Sequence, residues 1–548
     1  MGHKILKYFL SGMAVLLFSL TAFAQDAAEK GLDERINDAF APIAEWWGFI
    51  VFYPIPVTST TSVPIVLLLL IFGAAFFTLT FGFVNIRKFG LALEVVRGKY
   101  DDIEMAADPD HKEPHADPNA EVNIVDGDVV GTIKDEGHHG EVSHFQALAT
   151  AVSGTVGLGN IAGVAVAIGI GGPGATFWMI VCGLLAMSTK FVECTLGVKY
   201  REIGPDGTVY GGPMYYLSRG LGELGWKGAG KALAVLFAIF CVGGSFGGGN
   251  MFQANQATSQ LTTMLGLEGG AIRTIIGVIL AVLVAIVIIG GIKRIASVTE
   301  KLVPFMAVIY IIASLVIMGL HFSEIPAAIS LIISGAFTTD AAVGGIVGVI
   351  IQGFRRALFS NEAGAGSAAI AHSAVRTKYP ASEGIVALLE PFIDTVVICT
   401  MTAIVIVLFN MDGFFQYGGV NGNVMIGDQV VNGVDLTARA YNDALPGFNF
   451  VLTISVVLFA FSTLISWSYY GMQSWAYLFG RSKPADLTFK LLFCIATIIG
   501  AAASLGAVID FSDAMIFAMV FPNMIGLFFL FPKVKEELTR YLKAIAKS

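Results

Sequence analysis

Along the chain, apolar runs alternate with short polar connections, and most of the runs are long enough for an α-helix to cross roughly 30 Å of hydrocarbon. They fall at about 63–84, 145–170, 174–199, 230–262, 273–291, 302–320, 342–371, 385–409, 448–478, 488–508 and 511–531. The pattern predicts eleven membrane-spanning helices. Ahead of them, Lys4 and Lys7, an apolar core from Phe9 to Leu20 and the small-residue site Ala22-Phe23-Ala24 form the pattern of a cleaved signal peptide over residues 1–24. A first permanent helix is the other reading, disfavoured by its length. Residues 25–60, with Trp46 and Trp47, then read as a segment resting at the outer interface.

Two runs do not read as ordinary membrane helices. Ser153-Gly-Thr-Val-Gly-Leu-Gly-Asn160-Ile-Ala-Gly163 places four glycines at mid-run, where no water satisfies backbone groups freed by a break. Gly353-Phe-Arg-Arg356-Ala-Leu-Phe359-Ser-Asn-Glu362-Ala-Gly364-Ala-Gly366 interrupts a later run. With the first mature helix set aside, ten spans remain, and the two interrupted ones head the two sets of five. An odd number of spans per repeat forces opposite topologies, so the repeats are inverted around a central site. The expected divisions are an extra helix at 61–86, an acidic His-containing loop at 87–143, repeats at 144–341 and 342–531, and a tail at 532–548.

Composition agrees with a polytopic membrane protein: of 548 residues, 55% are hydrophobic and 14% charged, with a mean hydropathy of +0.74. The net charge of −8 comes from the loop, since residues 101–141 hold 13 Asp/Glu against Lys112 and Lys134. His111, His115, His138 and His139 in that loop lack the spacing of a metal-ligand set, so it is assigned no chemistry. Basic residues in alternate connections place the mature N-terminus outside and the C-terminus in the cytoplasm of a bacterial inner membrane. The five cysteines sit in apolar runs and read as buried small side chains.

Gly140-Glu-Val-Ser-His-Phe-Gln-Ala-Leu-Ala-Thr150, Gly154-Thr-Val-Gly-Leu-Gly-Asn-Ile-Ala-Gly163, Gly171-Gly-Pro-Gly174, Lys190-Phe-Val-Glu193 and Phe359-Ser-Asn-Glu-Ala-Gly364 resemble the signatures of the alanine or glycine:cation symporter family. The likeness runs from about residue 35 to the C-terminus, the acidic loop excepted. It implies an all-α LeuT-type five-plus-five inverted repeat with one extra N-terminal helix, and sodium-driven uptake of alanine or glycine. Leu158, Ala365 and Ala369 depart from the family's usual Thr, Met and Pro, and bear on which small amino acid is preferred.

An amino acid zwitterion brings a carboxylate that seeks N–H donors, which the backbone around Gly157, Gly159 and Asn160 can offer. Asn160 serves either as a direct contact or as a cap on the broken helix. Gln253, in the third core span, serves either as the substrate contact that the resemblance implies or as an interhelical bond. Carried over from the family, the sodium ligands are the carbonyls of Ser153, Val156 and Phe459 and the hydroxyls of Ser462 and Thr463, whose bland alternative is bonding back to their own helix. Thr463, Trp467 and Phe359 border the substrate. Glu193, Arg355, Arg356, Glu362, Glu390 and Asp394 read as gate and scaffold, with Glu362 paired to an arginine or to the loop backbone.

There is no nucleotide loop, HExxH or dense carboxylate cluster, so the chain reads as a transporter and not as an enzyme. It needs no cofactor beyond sodium as coupling ion, and its partners are alanine or glycine, sodium and the bilayer, with no nucleic acid. A proton-coupled small amino acid transporter is the competing reading.

Overall fold

The computed structural model describes residues 42, 46–56, 62–105, 124–125, 128–129, 140–267, 269, 271–338 and 345–547. The signal peptide, much of the outer segment and the four loop histidines lie outside the described residues. Helix α1 (Ile65–Thr80) precedes the core, and the short α2 (Asp101–Glu104) follows it. The first core span is α3 (His144–Thr155) and α4 (Val164–Gly171), bent by 49° at the break between them. Then come α5 (Gly174–Lys199), α6 (Lys227–Leu265), α7 (Ile272–Ile288) and α8 (Gly291–Leu320). The second half runs α9 (Gly345–Asn361), α10 (Ala368–His372), α11 (Pro380–Asp412), α12 (Asn449–Phe479), α13 (Lys483–Ala502) and α14 (Leu505–Ile545).

By length and composition, seven of these helices among the described residues can cross a membrane, and the bent pair α3/α4 makes an eighth. The other expected spans are α1, of 16 residues, α7, of 17, and the interrupted α9/α10. Two stretches expected as plain connections are helical instead, Ile325–Phe337 and Gly433–Ala444.

Local chemistry accounts for where the central elements start and break. Helix α3 opens on a capping box, in which the Ser143 side chain accepts from the Gln146 amide and the Gln146 side chain accepts from the Ser143 amide. It stops at Val156, whose ψ of 82° leaves the helical region. Between α9 and α10, Glu362, Gly364 and Gly366 all have positive φ, at 56°, 91° and 84°. Two glycines accept that conformation at no steric cost, whereas Glu362 is held in it by its side-chain contacts.

Helix α1 packs on α5 and α14. A Cβ at Gly73 would stand 2.0 Å from Met524 Cε, so glycine permits that approach, and Phe76, Phe77 and Phe528 form an aromatic cluster beside it with centroids 5.3–5.4 Å apart. The chain past α1 departs from the expected loop. Residues 89–96 form a helix whose Phe89 ring meets Phe392 at 4.8 Å, and α2 buries Glu104 completely.

Candidate functional site

The break between α3 and α4 exposes backbone groups that a continuous helix would use up. The Gly157 amide donates to Asn160 Oδ1 at 2.9 Å, and the Leu158 amide to Gln253 Oε1 at 2.9 Å. Asn160 therefore caps the break, and Gln253 ties α6 to it. Among the described residues, the Gly159 amide has no acceptor and the Val156 carbonyl no donor. All of these residues are buried, which makes an unpaired amide and an unpaired carbonyl costly unless something else binds them.

Helix α12 closes one side of this turn. Thr463 Oγ1 donates to the Ser153 carbonyl at 3.0 Å, and Ser153 Oγ donates to the Ser462 carbonyl at 2.8 Å. Ser462 Oγ bonds back to the Phe459 carbonyl at 2.9 Å, the local alternative expected for this pair. Thr463 does not bond back and reaches across to α3. The structure thus brings Ser153, Val156, Phe459, Ser462 and Thr463 to one place, as a set of neutral oxygens. A Cβ at Gly157 would stand 2.4 Å from Thr463 Oγ1 and 3.0 Å from Gln253 Oε1, so the turn is already in contact with both side chains.

Trp467, one turn beyond Thr463, lies flat on the glycine-rich turn of α6. A Cβ at Gly249 would fall 2.1 Å from its ring. Its Nε1 donates to Glu362 Oε1 at 2.9 Å, and Glu362 also accepts from Ser367 Oγ. Glu362 therefore pairs with neither arginine. Arg355 lies 2.8 Å from Asp513 and Arg356 bonds the same carboxylate, while the Arg356 guanidinium stands 5.2 Å over the Phe359 ring and that ring meets Phe252 edge-on at 5.3 Å. Phe359 thus lies between the glycine-rich turn of α6, where a Cβ at Gly248 would stand 3.4 Å from its ring, and the Arg356–Asp513 pair.

Asp394 joins the two interruptions. Its Oδ1 accepts from Asn160 Nδ2 at 2.6 Å and from Ser360 Oγ at 3.1 Å, and Thr402 Oγ1 donates to the Asn160 carbonyl at 2.8 Å. Glu193 accepts from the Gly364 amide at 2.8 Å and from Asn523 Nδ2 at 2.7 Å, which braces the second break from α5. Sequence reasoning missed Ser360, Thr402, Asp513 and Asn523. Thr402, Asp513 and Asn523 are polar residues in apolar runs, and Ser360 lies inside the Phe359–Gly364 motif; those were the signals they offered.

The arrangement is a buried turn with neutral donors and acceptors from both breaks, braced by the Asp394 carboxylate, with an arginine–aspartate pair beside Phe359. Residues 127–548 match the profile of the sodium:alanine symporter family. The chain belongs to that family. It is similar to the sodium/alanine symporter AgcS of Methanococcus maripaludis, 37% identical over 486 residues that cover 88% of this chain and 95% of AgcS. It is also similar to the probable sodium/glutamine symporter GlnT of Bacillus subtilis, 34% identical over 73% of this chain and 79% of GlnT. In a comparison of folds, MhsT in complex with L-phenylalanine aligns with a TM-score of 0.44 at 15% identity, covering 72% of this chain and 99% of MhsT.

In this family member the turn is sealed from the His144 end by Tyr470, which a Cβ at Gly154 would meet at 2.9 Å. Beyond that seal lies a cavity of about 250 Å³ lined by Glu141, Tyr210, Lys293, Tyr469, Gln473 and Arg481. Burial raises the Glu141 carboxyl above its usual range, against the opposing effects of the Val209 amide, Lys293 and Arg481. Gln473 and Glu141 both hold the backbone of Val209, at 3.1 and 2.8 Å. Gln473 Oε1 is buried and has no partner among the described residues.

Proposed function

We propose that this chain carries a small neutral amino acid, alanine or glycine, together with sodium into the cell by alternating access. The observation that carries the reading is the Thr463–Ser153 bond at 3.0 Å beside the unpaired Val156 carbonyl, which gathers neutral oxygens at a helix break. A sodium ion needs such oxygens to replace its hydration shell, and a set without carboxylates avoids holding it too tightly for release. Ser153, Val156, Phe459, Ser462 and Thr463 are its ligands. The substrate carboxylate is received by the amides of Gly157 and Gly159, with Asn160 and Gln253 yielding or sharing their bonds, and Thr463, Trp467 and Phe359 bound the side chain. Trp467 sits directly on Gly249, where a Cβ would fall 2.1 Å from its ring, so its indole is the wall that limits the substrate side chain.

The protein lies in the bacterial inner membrane with the His144 end and the C-terminus in the cytoplasm and the Asp513 end outside. Uptake of labelled alanine into proteoliposomes, with sodium and proton gradients imposed separately, tests the reading. A sodium gradient alone is expected to drive accumulation, with alanine and glycine competing better than glutamine. Accumulation driven by a proton gradient without sodium would replace it with the proton-coupled alternative.

A further inference from the structure

Six ionisable side chains outside the central site form one buried line. Glu104 accepts from His144 Nε2 at 2.7 Å, His144 Nδ1 bonds Glu383, and Glu383 meets His372 Nδ1 at 2.5 Å. His372 Nε2 lies 3.5 Å from Glu390, and Glu390 accepts from Lys190 at 3.0 Å. Both ring nitrogens of His144 bond carboxylates, so that ring satisfies both only as an imidazolium that donates twice, whereas His372 bonds Glu383 through Nδ1 and only approaches Glu390 with Nε2. The line then alternates acid and base with three of each, a neutral arrangement of charges that burial would otherwise penalise heavily.

The outer end of this line does not belong to the ten core spans. Glu104 comes from α2, on the segment that enters from α1, and its carboxylate gathers four separate elements. Besides His144 at the base of α3, it accepts from Thr377 Oγ1 at 2.8 Å, Ser382 Oγ at 2.8 Å and Tyr541 OH, near the end of α14, at 2.7 Å. Its backbone carbonyl also accepts from the Lys378 amide at 3.3 Å. Ser153 and Val156 lie on the same helix or at its end, two to three turns from His144. Tyr470 packs on Gly154 between the central turn and the cavity, so parting α3 from α12 at this contact opens the turn toward the cavity.

We propose that Glu104 and His144 are positioning residues for transport: they latch the base of α3 to α2, α11 and α14, and their separation accompanies release of sodium and amino acid to the cytoplasm. This rests on the transport reading above. The charge of Glu104 pairs His144 with a second carboxylate, and its removal leaves an imidazolium with one ionic partner and at most a neutral acceptor in place of the other. The closed position of α3 then loses one charged hydrogen bond that the open position never had.

The test is Glu104→Gln in the full-length protein in proteoliposomes, with spin labels at Phe145→Cys and Thr539→Cys, both exposed positions flanking the latch; the five native cysteines are buried. Without sodium, the population with α3 far from α14 is expected to rise roughly tenfold, the effect of losing one charged partner. The sodium concentration for half-maximal uptake should rise severalfold with the maximal rate less affected, and Glu104→Asp should restore both in part. Should Glu104→Gln not fold, Tyr541→Phe removes one bond to the same carboxylate and should shift the distances the same way by less. A distance distribution and sodium requirement identical to the parent's in either variant would overturn the latch. Parent uptake is measured in the same vesicles, so failure of the transport reading appears there and failure of the latch only in the variants.

Discussion

The central turn and the charged line at the His144 end use opposite means to bury polar groups. The turn itself is made of backbone amides, carbonyls, side-chain amides and hydroxyls; among the described residues Asp394 is the carboxylate that bonds to it, and it retains an unpaired amide at Gly159 and an unpaired carbonyl at Val156. The charged line is matched within itself, each acid lying against a base. A region that must accept and release ligands keeps some of its polar capacity open, and its neutral groups bind without holding permanently. A region that must hold helices together closes its capacity with charges, because breaking any one pair strands its neighbour.

That contrast predicts the largest effect at the charged line. Lys190→Met removes the base at its inner end and leaves Glu390 buried against His372 alone. Loss of one member of a buried pair costs about 3–5 kcal/mol, so the melting temperature of the purified protein should fall sharply. A double variant, Lys190→Met with Glu390→Leu, should recover much of the loss, since replacing both charges by apolar groups is often neutral. No recovery in the double variant would show that the line is more than a matched set of charges.

The central turn should respond in function before stability. Gly157→Ala places a Cβ 2.4 Å from Thr463 Oγ1 and 3.0 Å from Gln253 Oε1, so the turn or these two side chains must shift. Uptake is expected to fall by about a hundredfold, as a misplacement of about 1 Å typically costs, while the protein remains monodisperse. A smaller change is expected from Thr463→Ala, which removes a hydroxyl from the oxygen set and should raise the sodium requirement about tenfold, the cost of one such contact. Normal sodium dependence in that variant, with normal expression, would remove Thr463 from the ion site.

What could be read in the sequence follows from how local each feature is. The two helix breaks were legible because their glycines are clustered, and the Ser462-Thr463 pair was legible by its spacing to Trp467 on one helical face. Glu104 was not. Its partners lie 40, 273, 278 and 437 residues away, and in the sequence it begins an acidic stretch that reads as solvated. Glu362 was read as paired to an arginine or to the loop backbone, but the arginines sit on α9 where it faces Asp513, and Glu362, at positive φ, bonds Trp467 and Ser367. Periodicity along one segment carries no information about such pairings between distant segments.

The smallest effect separates two glycines that the sequence treats alike. Gly159, like Gly157, stands where the sequence places a backbone N–H for a substrate carboxylate, and from the sequence alone a Cβ at Gly159 would be expected to obstruct that approach. The structure distinguishes them. A Cβ at Gly159 points toward Ser360 at 3.4 Å, an ordinary van der Waals contact, and its φ is not in the left-handed region. The amide of an alanine there remains available, because substitution changes the side chain and not the N–H. Gly159→Ala should therefore keep alanine affinity in saturating sodium within about threefold, a shift of well under 1 kcal/mol. A loss as large as that of Gly157→Ala, measured by alanine binding to monodisperse protein, would mean that the substrate occupies the space beside Ser360, and the carboxylate would then lie between the two breaks and not against the first alone.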